Sequence, residues 1–232
     1  MRHPVVTQLS SCRQDWVVVG VPSAQAALHT AWDLLGLSPP QLRVAPVAEV
    51  VVVLPRSREP GREVYLERCR ADGVSVVLRP SGGGAVVLAP GMVTLSALAP
   101  LSGDRRVDRL FARFCGWLSE GLGRCGVKGL SQKGVSDLCI GRRKLAGTSL
   151  RLLRSAVLFQ ASILVDCSLE LIARYLPYPS RAPDYRQGRD HRDFLTTLRQ
   201  EGYFLEPSAV VSALYAVFSR APSWVGGTGE SG

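Results

Sequence analysis

Two short stretches carry residue types at spacings that could do chemistry. The first is Arg79-Pro80-Ser81-Gly82-Gly83-Gly84-Ala85-Val86. Consecutive glycines have no side chain to hold a ligand off the backbone, so their N–H groups can close on an anion. Arg79 is expected at the lip of such a loop, where it could pair with a carboxylate or phosphate. The same glycines would equally serve a β-turn between two strands, and alone they do not choose. No Gly-Lys-Ser/Thr follows them, and there is no G-x-G-x-x-G pattern, so neither the Walker A loop nor the dinucleotide fingerprint is present. The second stretch is Lys133-Gly134-Val135-Ser136-Asp137-Leu138, followed by Gly141-Arg142-Arg143-Lys144-Leu145-Ala146-Gly147-Thr148-Ser149. An acidic residue on one strand of a hairpin and a lysine on its neighbour make a cradle. Asp137 could hold a magnesium ion or a ribose, and Lys144 could neutralise a phosphate or a developing oxyanion. A solvated ion pair on a hairpin is the plainer reading, and such a pair contributes little. Lysine is rare throughout: of 28 cations only Lys128, Lys133 and Lys144 are lysines. Coding bias would explain that scarcity. A lysine is nonetheless a compact charge whose pKa shifts readily on burial, so a lysine with a chemical task is expected here.

The elements that must position these residues follow from periodicity and punctuation. Pro22 to Leu35 reads as a helix stopped by Gly36, and Arg62 to Ala71 as a short helix ended by Gly73. Val50–Leu54, Val74–Leu78, Ala85–Leu88 and Met92–Leu98 read as strands, the last two joined at Ala89-Pro90-Gly91. Val107 to Leu122 is the clearest amphipathic helix, with Leu110, Phe111, Phe114, Leu118 and Leu122 at helical spacing. Asp137–Ile140, Lys144–Leu152 and Val157–Val165 read as successive strands, the first pair turning at Gly141-Arg142. Leu169–Tyr175, Asp190–Arg199 and Pro207–Phe218 read as helices, and Tyr178–Gly188 as a loop rich in proline and arginine. Strands that follow one another without obligatory crossovers favour α+β with a mixed sheet. The expected layout is one domain over residues 1–225 and a flexible tail over 226–232.

Composition narrows the setting. The chain has 232 residues, 46% hydrophobic and 20% charged, which excludes a mainly disordered chain and a coiled coil. No apolar run reaches the ~18 residues that span a bilayer, and the first residues lack the apolar core of a signal peptide, so no membrane and a cytoplasmic location are expected. The cysteines (Cys12, Cys69, Cys115, Cys125, Cys139 and Cys167) form no C-x-x-C pair and read as reduced thiols. A formal net charge of +9 attracts nucleic acid, anionic surfaces, phosphate substrates or acidic proteins. With no helix-turn-helix cue and no aromatic RNA-binding motif, nucleic acid is not expected.

In combination the motifs resemble the lipoate–protein ligase family, within the biotin/lipoate ligase and octanoyltransferase superfamily. The resemblance lies in Arg-x-Ser-Gly-Gly-Gly-Ala-Val, then Ser-Asp-Leu, then Arg-Lys-Leu-Ala-Gly-Thr-Ser, in this order. It extends to Ala26-Ala27-Leu28, to Phe159-Gln160-Ala161-Ser162-Ile163-Leu164, and to Pro183-Asp184-Tyr185-Arg186 with Arg189-Asp190-His191. It implies a class II synthetase-like catalytic domain whose mixed, mostly antiparallel sheet is flanked by helices. It implies a ligase that uses ATP and magnesium to activate lipoate or octanoate as acyl-AMP. The acyl group then passes to one lysine of a small lipoyl-domain protein, an acceptor that the basic charge suggests is acidic. Lys144 would contact the carbonyl and phosphate of the adenylate as the catalytic residue. Arg79, Ser81, Gly82, Gly83, Gly84 and Ala85 would surround it, with Gly147, Thr148, Gln160 and Ser162 on neighbouring strands. Asp137 would face the nucleotide and metal, and Val86, Val87 and the Leu158–Leu164 strand would help line the acyl slot.

The chain departs from the family pattern. His-Asp-x-Gly-Asn is replaced by Leu88-Ala89-Pro90-Gly91-Met92, Asn-Asp by Ser136-Asp137, and the strand histidine by Gln160. The small C-terminal domain of longer ligases is not represented, so a separate accessory subunit is an expectation. Two alternatives stand beside the ligase. One is an octanoyl or lipoyl transferase working through a cysteine thioester from an acyl carrier protein. The other is a degenerate member that only binds lipoyl domains. Cys139, among alternating apolar neighbours, and Cys167 are expected to be structural.

Overall fold

A computed structural model describes residue 29 and residues 31–101 and 103–220. Most of the helix expected from Pro22, the residues around Cys12 and the tail from Gly226 lie outside the described residues.

Among the described residues, nine strands form two sheets. The strands are β1 (Gln41–Pro46), β2 (Val51–Pro55), β3 (Ser75–Arg79), β4 (Val86–Leu88), β5 (Met92–Pro100), β6 (Leu130–Lys133), β7 (Asp137–Ile140), β8 (Arg143–Leu152) and β9 (Ala156–Leu164). The larger sheet runs β1-β5-β9-β8-β7-β6 and every pairing in it is antiparallel. The smaller runs β3-β2-β4, with β2 parallel to β3 and antiparallel to β4. The helices are α1 (Pro60–Glu63), α2 (Leu66–Ala71), α3 (Val107–Arg124), α4 (Glu170–Tyr175), α5 (His191–Phe194) and α6 (Pro207–Phe218). The α+β architecture with a mostly antiparallel mixed sheet is as expected.

The larger sheet has two unlike faces because side chains alternate along its central strands. Val93, Leu95 and Ala97 of β5 join Phe159, Ala161 and Ile163 of β9 in one apolar cluster with α3 and α6. Phe114 of α3 stacks on Phe159 at 4.5 Å between centroids. The α3–α6 contact is close because Gly121 has no side chain: a Cβ there would lie 2.7 Å from Leu214 Cδ2. The intervening residues, Thr94 and Ser96 on β5 and Gln160 and Ser162 on β9, belong to the opposite face. Over that face sits a second apolar cluster built from the smaller sheet and α4.

Several elements differ from the sequence expectation. β1 and β6 were not anticipated: β1 is an edge strand with no fully buried residue, and β6 is the polar edge strand Leu-Ser-Gln-Lys, which carries no apolar alternation. The helix expected over Arg62–Ala71 is two, broken where Val64 turns extended (φ −142°, ψ 136°). The helix expected over Asp190–Arg199 ends at Phe194, because Leu195 becomes extended and bridges to Lys144. The Thr196 N–H then donates to the Lys144 carbonyl at 3.0 Å. The described end of the first helix is interrupted at Ala31 (φ 59°), and a 3-10 turn, Asp33–Gly36, follows. β4 and β5 are joined as expected but enter different sheets, so the Ala89-Pro90-Gly91 link steps between layers.

Candidate active site

The polar face of the larger sheet is ordered in rows. Asp137, Gly147, Ser162 and Thr94 are successive cross-strand partners over β7, β8, β9 and β5. Ser149, Gln160 and Ser96 make the next row. Lys144 does not belong on this face by simple alternation, since it stands three residues from Gly147. A β-bulge corrects the parity. Leu138 pairs with Ala146 but Cys139 pairs with Lys144, which leaves Leu145 without an opposite number. Leu145 accordingly drops into the helix-side core, and the Lys144 side chain lies on the polar face. There it covers Gly147, whose Cβ, if present, would come within 3.0 Å of Lys144 Nζ. A Cβ at position 147 would make the end of the Lys144 side chain shift by a few tenths of an ångström.

Lys144 Nζ sits 2.7 Å from Asp137 Oδ1. The side chain of Asp137 is 10% exposed and that of Lys144 25%, so this is not the solvated surface pair that the hairpin alone suggested. The other carboxylate oxygen accepts a 2.7 Å hydrogen bond from the Tyr185 hydroxyl. Burial, and then the Asp137 charge, push the Tyr185 phenol well above its ordinary value, so it stays protonated as a donor. A single ammonium is held between a fixed carboxylate and the open cleft.

The glycine loop faces this pair from the smaller sheet. Arg79 is not at the lip, as the sequence suggested, but at the root of the loop, 6% exposed. It donates to the carbonyls of Val53 at 3.1 Å, Gly82 at 2.8 Å and Gly84 at 2.7 Å. Arg58 donates to the Gly83 carbonyl at 3.3 Å. In a planar peptide the N–H points opposite to the carbonyl. Turning three carbonyls toward arginines therefore turns the N–H groups of Gly83, Gly84 and Ala85 the other way, as donors for an anion. The φ of Gly83 is +101°, so a side chain there would be strained. Burial lowers the Arg79 pKa to about 10, which still leaves it charged at neutral pH.

Ser81 and Gln160 tie the loop to the sheet. Ser81 Oγ donates to Gln160 Oε1 at 2.5 Å and lies 2.9 Å from Ser149 Oγ. Gln160 Nε2 reaches the His29 carbonyl at 3.3 Å and Ser96 Oγ at 3.4 Å. His29 Nδ1 is 2.7 Å from Thr94 Oγ1, and burial holds its imidazole below the usual histidine value. Thr148 is spent differently: its hydroxyl donates to the Ser136 carbonyl at 2.7 Å and pins the hairpin. The structure thus brings Lys144, Asp137, Gly147, Gln160, Ser162 and the glycine loop around one cleft of about 370 Å³. His29, Thr94, Ser96 and Tyr185 were missed. Thr94 and Ser96 did carry a signal, polar residues at period two in an otherwise apolar strand. Tyr185 lies in a loop without periodicity.

The cleft carries an excess of positive charge. Arg58, Arg79, Lys144, Arg181 and Arg186 line it against Glu63 and Asp137. Among the described residues no cysteine lines it. Burial raises the thiols of Cys69, Cys125 and Cys139, and pushes Cys115 to about 11 and Cys167 to about 12. None of these described thiols is an activated thiolate. Among the described residues no group of three or more His, Cys, Asp or Glu could hold a metal ion. The Asp137 carboxylate on this face is an oxygen donor of the kind a magnesium ion takes.

Known proteins resemble this chain in sequence and in fold. Residues 25–219 match the sequence family described as the lipoyl protein ligase A/B catalytic domain. A curated protein of Aeropyrum pernix named "Putative lipoate-protein ligase A" is 33% identical over 125 residues, 53% of this chain and 46% of that protein. Among solved structures, a bi-partite lipoate protein ligase of Thermoplasma acidophilum, described with its E2 lipoyl domain, superposes with a TM-score of 0.72 at 20% identity. That match covers 86% of this chain and 79% of the other. A lipoate-protein ligase A bound with ATP gives a TM-score of 0.70 at 20% identity, over 84% of this chain and 78% of that one. With a family match spanning most of its length, a fold shared with these ligases and a cleft that joins the motifs, the chain belongs to the lipoyl protein ligase A/B catalytic domain family of enzymes.

Proposed function

We propose that the protein activates lipoate or octanoate with ATP as acyl-AMP and transfers the acyl group to a lysine of a lipoyl domain. The observation that carries this reading is the Lys144 ammonium, held 2.7 Å from Asp137 in the cleft that Gly83, Gly84 and Ala85 of the glycine loop also line. In the first step a carboxylate oxygen of the acid attacks the α-phosphorus. An O–P bond forms and pyrophosphate leaves with the electron pair of the broken bond. In the second, the acceptor lysine amine attacks the acyl carbon, an amide forms, AMP leaves, and the amine proton passes to solvent. Both transition states build charge on the phosphate and carbonyl oxygens. A fixed cation and oriented N–H donors stabilise that charge without reorganising. A magnesium ion would supply further neutralisation of the phosphate charge, and Asp137 is the sheet carboxylate that would hold it. The Ser81–Gln160–Ser149 network keeps the glycine loop in register with the sheet.

The acceptor is an acidic lipoyl-domain protein, a pairing that the positive cleft supports. A separate accessory subunit belongs to the same reading, since the T. acidophilum enzyme is bi-partite. The thioester route is the weaker one, because none of the described cysteines lines the cleft and Cys69, Cys115 and Cys139 are buried. The test is intact mass of an apo lipoyl domain incubated with the protein in two arms. One contains lipoate, magnesium and ATP; the other contains octanoyl carrier protein without ATP. A lipoyl mass gain in the first arm alone is expected. A gain in the second alone would replace the ligase by the transferase, and tight binding with no gain in either would indicate a non-catalytic member.

A further inference from the structure

One wall of the cleft is the segment from Pro177 to His191, and one buried cation in it takes no part in the chemistry above. Arg186 is 4% exposed and lines the cleft. Its guanidinium carbon lies 4.7 Å from the ring centroid of Tyr178 and 4.7 Å from that of Phe194. Its Nε donates to the Arg189 carbonyl at 2.8 Å, while Nη2 is buried with no acceptor. No carboxylate lies within ion-pair distance of it among the described residues. The carboxylate that acts on it at longer range, Asp190, is used as the cap of α5, where it accepts the Asp193 N–H at 3.0 Å.

Burying a guanidinium without a carboxylate is costly, and its neighbours hold it there. Arg189 donates to the carbonyls of Tyr185 at 2.8 Å, Arg186 at 3.0 Å and Arg142 at 3.0 Å, bracing the turn from behind. Tyr185 anchors the same turn to Asp137. A guanidinium covered on its faces by aromatic rings offers a ligand its edge, where the N–H fork lies. That fork matches two oxygens of a phosphate group. Arg181, exposed on the same segment and also lining the cleft, adds a second charge to this wall.

We infer that Arg186 is the seat for the pyrophosphate part of the nucleotide, receiving the leaving group of the adenylation step through the edge of its guanidinium. This rests on the ligase reading above and deepens it, dividing the phosphate chain between two walls. Lys144 and the glycine loop face the phosphate that keeps the acyl group, and Arg186 faces the phosphates that depart.

The test is calorimetric titration of the full chain with sodium pyrophosphate, AMP and lipoate separately, in magnesium-free buffer. Wild-type protein, Arg186→Gln and Arg186→Lys are compared. Arg186→Gln is expected to weaken pyrophosphate about tenfold to hundredfold, the loss of a charge-assisted hydrogen bond. Arg186→Lys, which keeps the charge and most of the packing, is expected to lose about tenfold, because an ammonium lacks the planar fork. AMP and lipoate affinities should stay unchanged in both. Lys carries the test if Gln does not fold. Absence of pyrophosphate binding to the wild type, an unchanged affinity in the folded variants, or losses shared equally by AMP or lipoate would overturn the assignment. Lipoyl-domain modification is measured separately. Mass gain without selective pyrophosphate loss removes this inference alone, and pyrophosphate binding without any mass gain removes the ligase reading instead.

Discussion

The two faces of the larger sheet are made by the same strands, yet they obey different rules. On the helix side, Phe114, Phe159 and Phe218 stack in one apolar core with α3 and α6. Burial there is satisfied by volume and shape. On the cleft side, Thr94, Ser96, Ser149, Gln160 and Asp137 are almost equally buried, yet each is polar. Burial there is tolerable only because each group has a named partner. The difference teaches where the protein can be changed. The helix side answers to lost methylenes, and the cleft side to lost partners.

The contrast can be broken or sharpened by substitution. The largest effect is expected from Lys144→Ala, which should cut acyl transfer by about two to three orders of magnitude, the usual loss for one stabiliser of transition-state charge. The fold should survive, as judged by thermal unfolding; near-normal turnover in a folded variant would remove Lys144 from the chemistry. Next is Phe114→Ala on the other face, expected to cost about 3–5 kcal/mol of stability. Nucleotide and lipoate affinities of the remaining folded protein should be unchanged. If denaturant titration shows less than about 1 kcal/mol, the aromatic stack is not the centre of that core. Tyr185→Phe, which removes one hydroxyl, should lower kcat about tenfold by freeing the Asp137 carboxylate to swing. Its thermal midpoint should fall as well, because a buried carboxylate loses a partner, and an unchanged kcat beside that fall would show that Tyr185 only ties the loop down.

The smallest effect is pH dependence of stability. Burial lowers the pKa of both His29 and His191 in the folded protein, so the unfolded chain binds protons more readily. Their contribution is full above the ordinary histidine value near 6.5 and is lost as pH falls below it. Denaturant titrations between pH 7 and pH 5 should show this loss, and His29→Gln should flatten it. A slope unaltered by that substitution would place the proton uptake elsewhere.

Much of this was legible in the residues. The glycine run, the Asp137–Lys144 hairpin and α3 are local patterns, fixed by periodicity and by residues with unusual backbone freedom. Other features were hidden because long-range pairing makes them. β6 is a strand only because β7 offers it an edge, and α5 stops because Leu195 bridges to Lys144. Arg79 could not be assigned to the root of its loop from sequence, since its partners include Val53, 26 residues away.

The sequence by itself determined the fold class, the family and the pair of motifs, because each rests on composition, alternation or a short ordered string of residues. Only the tertiary structure decided which face Lys144 occupies. That depends on a one-residue bulge, and a one-residue shift in a strand reverses every side chain. The tertiary structure also decided that Gln160 braces the loop and that Arg186 lies buried at the cleft wall. Hydrogen bonds and burial are properties of neighbours brought together by folding, and no local window of the chain contains them.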